Sequence, residues 1–211
     1  MQEIIIEFIK IIPSILWFGV IITLLILFYT PLRNLLSNLN EFKALGVEMS
    51  FVKDTMDAAL KLADKSPKWK VEVPQADRER VIARAKKHLH ILKNAQILWI
   101  DDHPENNRNE MRMFQQLKAQ VDTVTDTDAA LAILKENKYD VILSDMARGD
   151  RSDAGVDFLQ KFRRRDESTP VIFYVGVFDK KRGTPPQSFG ITNRPDELLH
   201  LVLDALERKK Y

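Results

Sequence analysis

The chain has no cysteine in its 211 residues. A disulfide framework, a thiolate zinc site and a cysteine nucleophile are therefore excluded. An excess of charge of either sign is also missing, because 32 Lys and Arg face 30 Asp and Glu for a net charge of +2. Such a balance gives no general push toward nucleic acid or another polyanion, and no nucleic-acid partner is expected. The length suits one well-cored domain with an appendage and is too short for two large domains. Hydrophobic residues are scarce as long runs, with one exception at the start of the chain.

From Ile11 to Thr30 the sequence IIPSILWFGVIITLLILFYT carries no charged side chain. As a helix at about 1.5 Å per residue this run would span roughly 30 Å, the thickness of a bilayer core. The expectation is a single-pass transmembrane anchor over residues 1–31, with Glu7 and Lys10 at the interface and the lipid bilayer as a partner. The start lacks positive charge, the apolar stretch is too long for a signal-peptide core, and no small-residue cleavage pattern follows. Arg33 and Lys43 after the run place the C-terminal portion on the cytoplasmic side.

Residues 32–95 read as a helical connector. Leu32, Leu35, Leu36, Leu39 and Phe42 recur at helical spacing up to Gly46, and a second pattern runs through Val52, Met56, Ala59, Leu60 and Ala63. Two readings of these stripes stand side by side: self-association into a homo-oligomer, or packing against the globular domain or lipid. Pro67 and Pro74 mark Ser66 to Gln75 as a linker. Asp77 is placed to cap the next helix, which would bury Val81, Ile82, Ala85, Leu89 and Leu92.

Residues 96–211 alternate short apolar runs with helical patterns. The runs are Ile97 to Ile100, Val121 to Thr125, Asp140 to Ser144, Val171 to Val175 and Phe189 to Ile191. Between and after them lie helical patterns, the last starting at Pro195. Strand and helix in alternation imply a parallel α/β sheet, doubly wound, with about five strands. In such a sheet the chemistry belongs beyond the carboxyl ends of the strands, where strand order reverses. Asp101 and Asp102 follow the first strand and Asp145 follows the third. Three carboxylates in one pocket repel, so a proton or a cation must accompany them. All-oxygen ligands suit a hard cation such as Mg²⁺, beside which a carboxylate can act as a nucleophile toward phosphorus. The plainer reading of the same residues is helix capping.

WIDDHPENN at Trp99 to Asn107 and YDVILSDM at Tyr139 to Met146 resemble the signatures of the receiver domain of two-component response regulators. The resemblance implies a flavodoxin-like, five-stranded parallel sheet. It implies that Asp145 is the phosphoacceptor, and that Asp101, Asp102 and Asp145 hold Mg²⁺ with the backbone carbonyl of Ala147. A histidine kinase or another signalling protein would then be the partner.

Two positions depart from that family. Val175 stands where receivers have a Ser or Thr at the end of the fourth strand, and valine has neither donor nor acceptor. Arg194 before Pro195 stands where they have Lys before Pro, so it is the candidate phosphoryl contact, with Lys180, Lys181 and Arg182 as other candidates. The segment from Gly176 to Ser188 has little helical pattern and holds Pro185 and Pro186, so the fourth helix of the family is expected to be truncated or absent. The charged loop MARGDRSDAG after Asp145 reads as solvated, or as a cover for the acidic pocket.

The expected function is a membrane-anchored signalling protein with an atypical receiver domain that acts through protein contacts. Two alternatives differ in class. One is a Mg²⁺-dependent phosphohydrolase or NAD-processing enzyme on a similar sheet, for which Glu136 is a poor catalytic glutamate. The other is a membrane effector controlled by a receiver-like sensor.

Overall fold

The computed structural model describes residues 16–31, 33, 49–61, 73–177 and 183–209. The chain divides into two compact units, Met1–Val47 and Glu48–Tyr211.

In the first unit, residues 16–31 are helical. At 1.5 Å per residue the described part of that helix is about 24 Å long, short of the roughly 30 Å hydrocarbon core. Among the described residues no helix is long and apolar enough to cross a membrane. The expected membrane span, its single-pass localisation and the bilayer partner are therefore corrected, and the cytoplasmic assignment that rested on them falls too. Lack of charge over Ile11 to Thr30 measures composition, whereas a span needs one helix of sufficient length. Residues 11–15 of the expected span lie outside the described residues, as do Glu7, Lys10, Lys43 and every member of the first connector stripe, Leu32, Leu35, Leu36, Leu39 and Phe42.

The second unit begins with helix α1 (residues 49–61), followed by α2 (Gln75–Lys87) and the short α3 (Leu89–Leu92). Asp77 does not cap α2: the helix opens one residue after Pro74 without a side-chain cap, and Asp77 lies in its first turn, where it complements the helix dipole. Most of the expected linker, residues 66–72, lies outside the described residues.

These helices are packed elements of the folded unit. Val52, Met56, Ala59 and Leu60 of α1 are buried, as are Val81, Ala85 and Leu92 further on. Arg78 of α2 reaches Asp57 of α1 at 2.6 Å, while Arg84 reaches Asp204 at 2.6 Å and Glu207 at 2.9 Å in the last helix. Partly exposed ion pairs of this kind contribute about 0–1 kcal/mol each, so apolar burial supplies most of the attachment. Met56 is 1% exposed. Met56→Ala is expected to cost about 2–5 kcal/mol in urea unfolding of the full chain. An unchanged midpoint would mean that α1 does not belong to the core.

The sheet has five parallel strands: β1 (Gln96–Ile100), β2 (Gln120–Val124), β3 (Val141–Ser144), β4 (Val171–Tyr174) and β5 (Gly190–Thr192), in the order β2-β1-β3-β4-β5. β3 and β4 are buried at every position, and β1 at all but its first, as expected for strands covered on both faces. β2 lies at an edge and has no buried position. The intervening helices are α4 (Arg108–Gln116), entered through a 3-10 turn over Pro104–Asn107, α5 (Thr127–Glu136), α6 (Ala154–Arg163) and α7 (Pro195–Lys209).

Successive strand residues face opposite sides. Leu98, Ile100, Ile142, Val171 and Phe173 pack with Ala130 of α5 and Phe158, Leu159 and Phe162 of α6. Trp99 and Tyr174 take the other face, where Trp99 meets Phe114 of α4 edge-on at 6.4 Å and Tyr174 at 5.9 Å. The order reverses between β1 and β3, so the loops after these two strands flank the switch point. Among the described residues from 175 to 189 there is no helix, in accord with the weak pattern there.

Candidate functional site

β1 ends at Ile100 and β3 at Ser144, and these residues are register partners in adjacent strands. Asp101 and Asp102 thus leave the sheet beside Asp145. A carboxylate oxygen from each lies within 4.8 Å of the others. The three residues that the sequence singled out are brought together.

Each carboxylate is held differently. Asp101, 7% exposed, accepts from the His103 backbone N–H at 2.7 Å and from Asn107 Nδ2 at 2.6 Å. Asp102 accepts from the Gly149 N–H at 2.7 Å, which ties the β1 end to the loop after β3. Asp145 accepts from the N–H of its neighbour Met146 at 2.7 Å.

The electrostatics follow from burial and crowding. Burial pushes the Asp145 carboxyl up to about 6; the Met146 N–H opposes this, the charges of Asp101 and Asp102 add to it, and Arg148 opposes it. Asp101 is also raised, by burial first, with its hydrogen bonds from His103 and Asn107 pulling the other way. Such a pocket favours a cation, and carboxylate oxygens are the donors a hard divalent ion prefers. The residues present therefore fit Mg²⁺. Ala147, whose carbonyl was expected to join them, is exposed in the loop two residues beyond Asp145.

Arg194 is not brought to this pocket. Its guanidinium lies across Asp196, with Nε 3.2 Å from Oδ1, and Nη2 sits 3.9 Å from Asp77 of α2. Asp196 is 2% exposed and needs that cation beside it. Val175 is buried at the end of β4, and its N–H bonds the Thr192 carbonyl. Lys180, Lys181 and Arg182 lie outside the described residues. Glu136 is exposed at the end of α5 and takes no part in the acidic site.

Sequence reasoning missed Arg148. It sits in the charged loop after Asp145 but is only 7% exposed. Nη1 donates to Ser144 Oγ and to the Asp145 carbonyl, both at 2.9 Å, while Nη2 donates to Thr127 Oγ1 at 3.1 Å and to the Ala154 carbonyl at 2.8 Å. Arg148 and Arg151 also form an antiparallel bridge that folds the loop into a small hairpin. No spacing rule exposes a buried arginine in a loop. Asn107 could have been found, since it lies within the motif that carries the aspartates.

Another buried acid lies on the Trp99 face of the sheet. Glu110 of α4, 6% exposed, accepts from the Tyr174 hydroxyl at 2.8 Å. Burial raises its pKa, and the Tyr174 bond only partly offsets this. An acid raised on folding contributes stability at low pH that is lost as the pH climbs from about 4 through the folded value. Glu110→Gln keeps an acceptor for Tyr174 and removes the charge. It is expected to stabilise the protein at neutral pH and to flatten this loss in urea melts at stepped pH; equal slopes would refute it.

Residues 97–183 match the family model of the response regulator receiver domain. Among solved structures, the chain is similar to the receiver domain of the Francisella response regulator 1452, at 24% identity over 55% of this chain and 99% of that one, with a TM-score of 0.48. It is similar to the chemotaxis response regulator CheY4 of Vibrio cholerae at 21% identity, over 55% of this chain and 98% of that one, TM-score 0.45. It is also similar to the response regulator TrrA of Thermotoga maritima in complex with Mg²⁺ and BeF, at 17% identity over 53% and 98% of the two chains, TM-score 0.47. No curated protein matches the chain. The matched stretch contains all three aspartates, whereas β5 and Arg194 lie beyond it.

Proposed function

We propose that this chain is a signalling protein whose receiver domain accepts a phosphoryl group on Asp145 and passes its state on through protein contacts. The observation that carries this reading is the meeting of Asp101, Asp102 and Asp145 at the ends of β1 and β3, inside the stretch that matches the receiver family.

Asp102 and Asp145, with the Ala147 carbonyl, would hold Mg²⁺ directly, and Asp101 would support it from its two hydrogen bonds. Bound there, the ion would neutralise charge on the aspartates and on the transferred group. The chain's own part is positioning. The Met146 N–H holds Asp145 Oδ1 and so fixes the plane of the carboxylate. An Asp145 oxygen attacks the phosphorus of a phosphohistidine or acyl phosphate, forming an O–P bond. The bond from phosphorus to the donor's nitrogen or oxygen breaks, and the leaving group departs with the electron pair. A histidine kinase is the class of partner that supplies such a donor.

Val175 and Arg194 favour a second reading, in which the domain binds partners without phosphorylation. No hydroxyl stands at Val175 to follow the phosphoryl group, and Arg194 is committed to Asp196. Incubating the full chain with an acyl phosphate and Mg²⁺, followed by intact-mass measurement, separates the two. One added phosphoryl group, labile in base, supports the first reading; none, with Mg²⁺ still bound, supports the second.

A further inference from the structure

Arg148 presents an energetic problem that its hydrogen bonds do not resolve. It is a buried cation, and its four hydrogen bonds all go to uncharged acceptors: two carbonyls and two hydroxyls. Its Nε is buried without a hydrogen-bond partner. A buried guanidinium is costly unless charge of the opposite sign compensates it. Opposite charge lies beside it: Nη1 is 2.9 Å from the Asp145 carbonyl, the next N–H of its loop, Gly149, is held by Asp102 at 2.7 Å, and Asp101 brings a carboxylate oxygen within 4.8 Å of those of Asp145 and Asp102. The same three aspartates form the candidate metal site.

We propose that Arg148 is a built-in counter-cation of the acidic pocket, which offsets part of the charge of Asp101, Asp102 and Asp145 and so competes with the metal ion for them. This rests on the reading of that pocket as a Mg²⁺ site. Three carboxylates and one guanidinium leave two negative charges, which one divalent ion balances. The guanidinium also anchors the hairpin whose Gly149 N–H holds Asp102, so charge and loop position are joined in one side chain. Arg148 is a positioning residue; its hydrogen bonds reach the Asp145 main chain and not its carboxylate.

The sign of one substitution separates this role from scaffolding. Arg148→Met keeps an unbranched apolar stem and removes the charge, while Arg148→Lys keeps the charge and loses the fork. Titration of the full chain with MgCl₂ alone is expected to show Arg148→Met binding about tenfold more tightly than wild type, with Arg148→Lys close to wild type. If both variants bind Mg²⁺ more weakly or equally, Arg148 only scaffolds the loop and the proposal is overturned. A metal-free measurement covers the case in which the wild type binds no Mg²⁺, which would overturn the metal site alone. In EDTA, Asp102→Asn should raise the melting temperature more in the Arg148→Met background than in the wild type, because it relieves repulsion that Arg148 otherwise offsets. Equal shifts in the two backgrounds would overturn the counter-cation.

Discussion

Replacing Asp145 by asparagine is expected to abolish phosphoryl incorporation and, in metal-free buffer at pH 7, to make the fold more stable. The first effect follows from chemistry: an amide is not a nucleophile toward phosphorus, and Asp101 is already held by two hydrogen bonds. The second follows from linkage. Asp145 titrates at about 6 in the fold against an ordinary value near 3.8. Its stabilising contribution is complete below the lower value and is lost as the pH rises through the upper one. A shift of about two units corresponds to ~3 kcal/mol at most, reduced by the water that reaches a half-buried group. Asparagine keeps an oxygen for the Met146 N–H and carries no charge. Saturating Mg²⁺ should close or reverse the gap, because only the wild type gains the full binding free energy of the ion. Thermal melts of both proteins, with EDTA and with Mg²⁺, check the stability, and intact mass after an acyl phosphate checks the chemistry. A destabilised Asp145→Asn in EDTA at pH 7 would mean that the three carboxylates do not strain the pocket.

The elements that carry the site were legible because they obey local rules. ILWI, VILS and VIFY are apolar without alternation, which marks strands covered on both faces, and an aspartate follows the first two directly. The separation of these runs by helical patterns fixed a parallel sheet, and a parallel sheet fixed the end at which chemistry sits. What was not legible depends on tertiary partners. Arg148 lies in a loop with three other charged residues, and nothing in that composition distinguishes the one that turns inward to Ser144 and Thr127. Arg194 kept its place in the motif but is committed to Asp196; the acid two residues on, at the start of a helix, was the one local hint. The stripe through Val52, Met56, Ala59 and Leu60 is amphipathic, which left self-association and packing against the globular domain equally open; in the structure those residues are buried. The apolar run near the start shows the converse failure. Composition alone suggested a span, while the described helix over residues 16–31 is too short to make one.

Gly155 is expected to be the least replaceable residue near the site that has no functional group of its own. It is the second residue of α6, and its N–H bonds the Met146 carbonyl at 2.8 Å, which draws the helix against the loop that carries Asp145. A Cβ built at Gly155 would lie 2.5 Å from the Asp145 carbonyl oxygen, 2.8 Å from Phe173 Cε1 and 3.0 Å from Met146 Cα. Two of these neighbours are backbone, and the third is a ring fully buried in the core. None can move aside as the end of a flexible side chain would. The same carbonyl oxygen accepts from Ser144 Oγ and from Arg148, so displacing it also disturbs the guanidinium. Overpacking in a well-packed core costs about 1–3 kcal/mol and more where backbone must shift, so Gly155→Ala should lose about 3 kcal/mol or more. Mg²⁺ binding should weaken with it, since the shift falls on Asp145 and its loop. Gly176, where an added Cβ meets nothing within 4 Å, is the control, and Gly176→Ala should change stability by less than about 0.5 kcal/mol. Urea unfolding and MgCl₂ titration of the two variants test the pair. A Gly155→Ala protein with wild-type stability and affinity would show that α6 can withdraw from β3 freely, and that the Asp145 loop is not held by this contact.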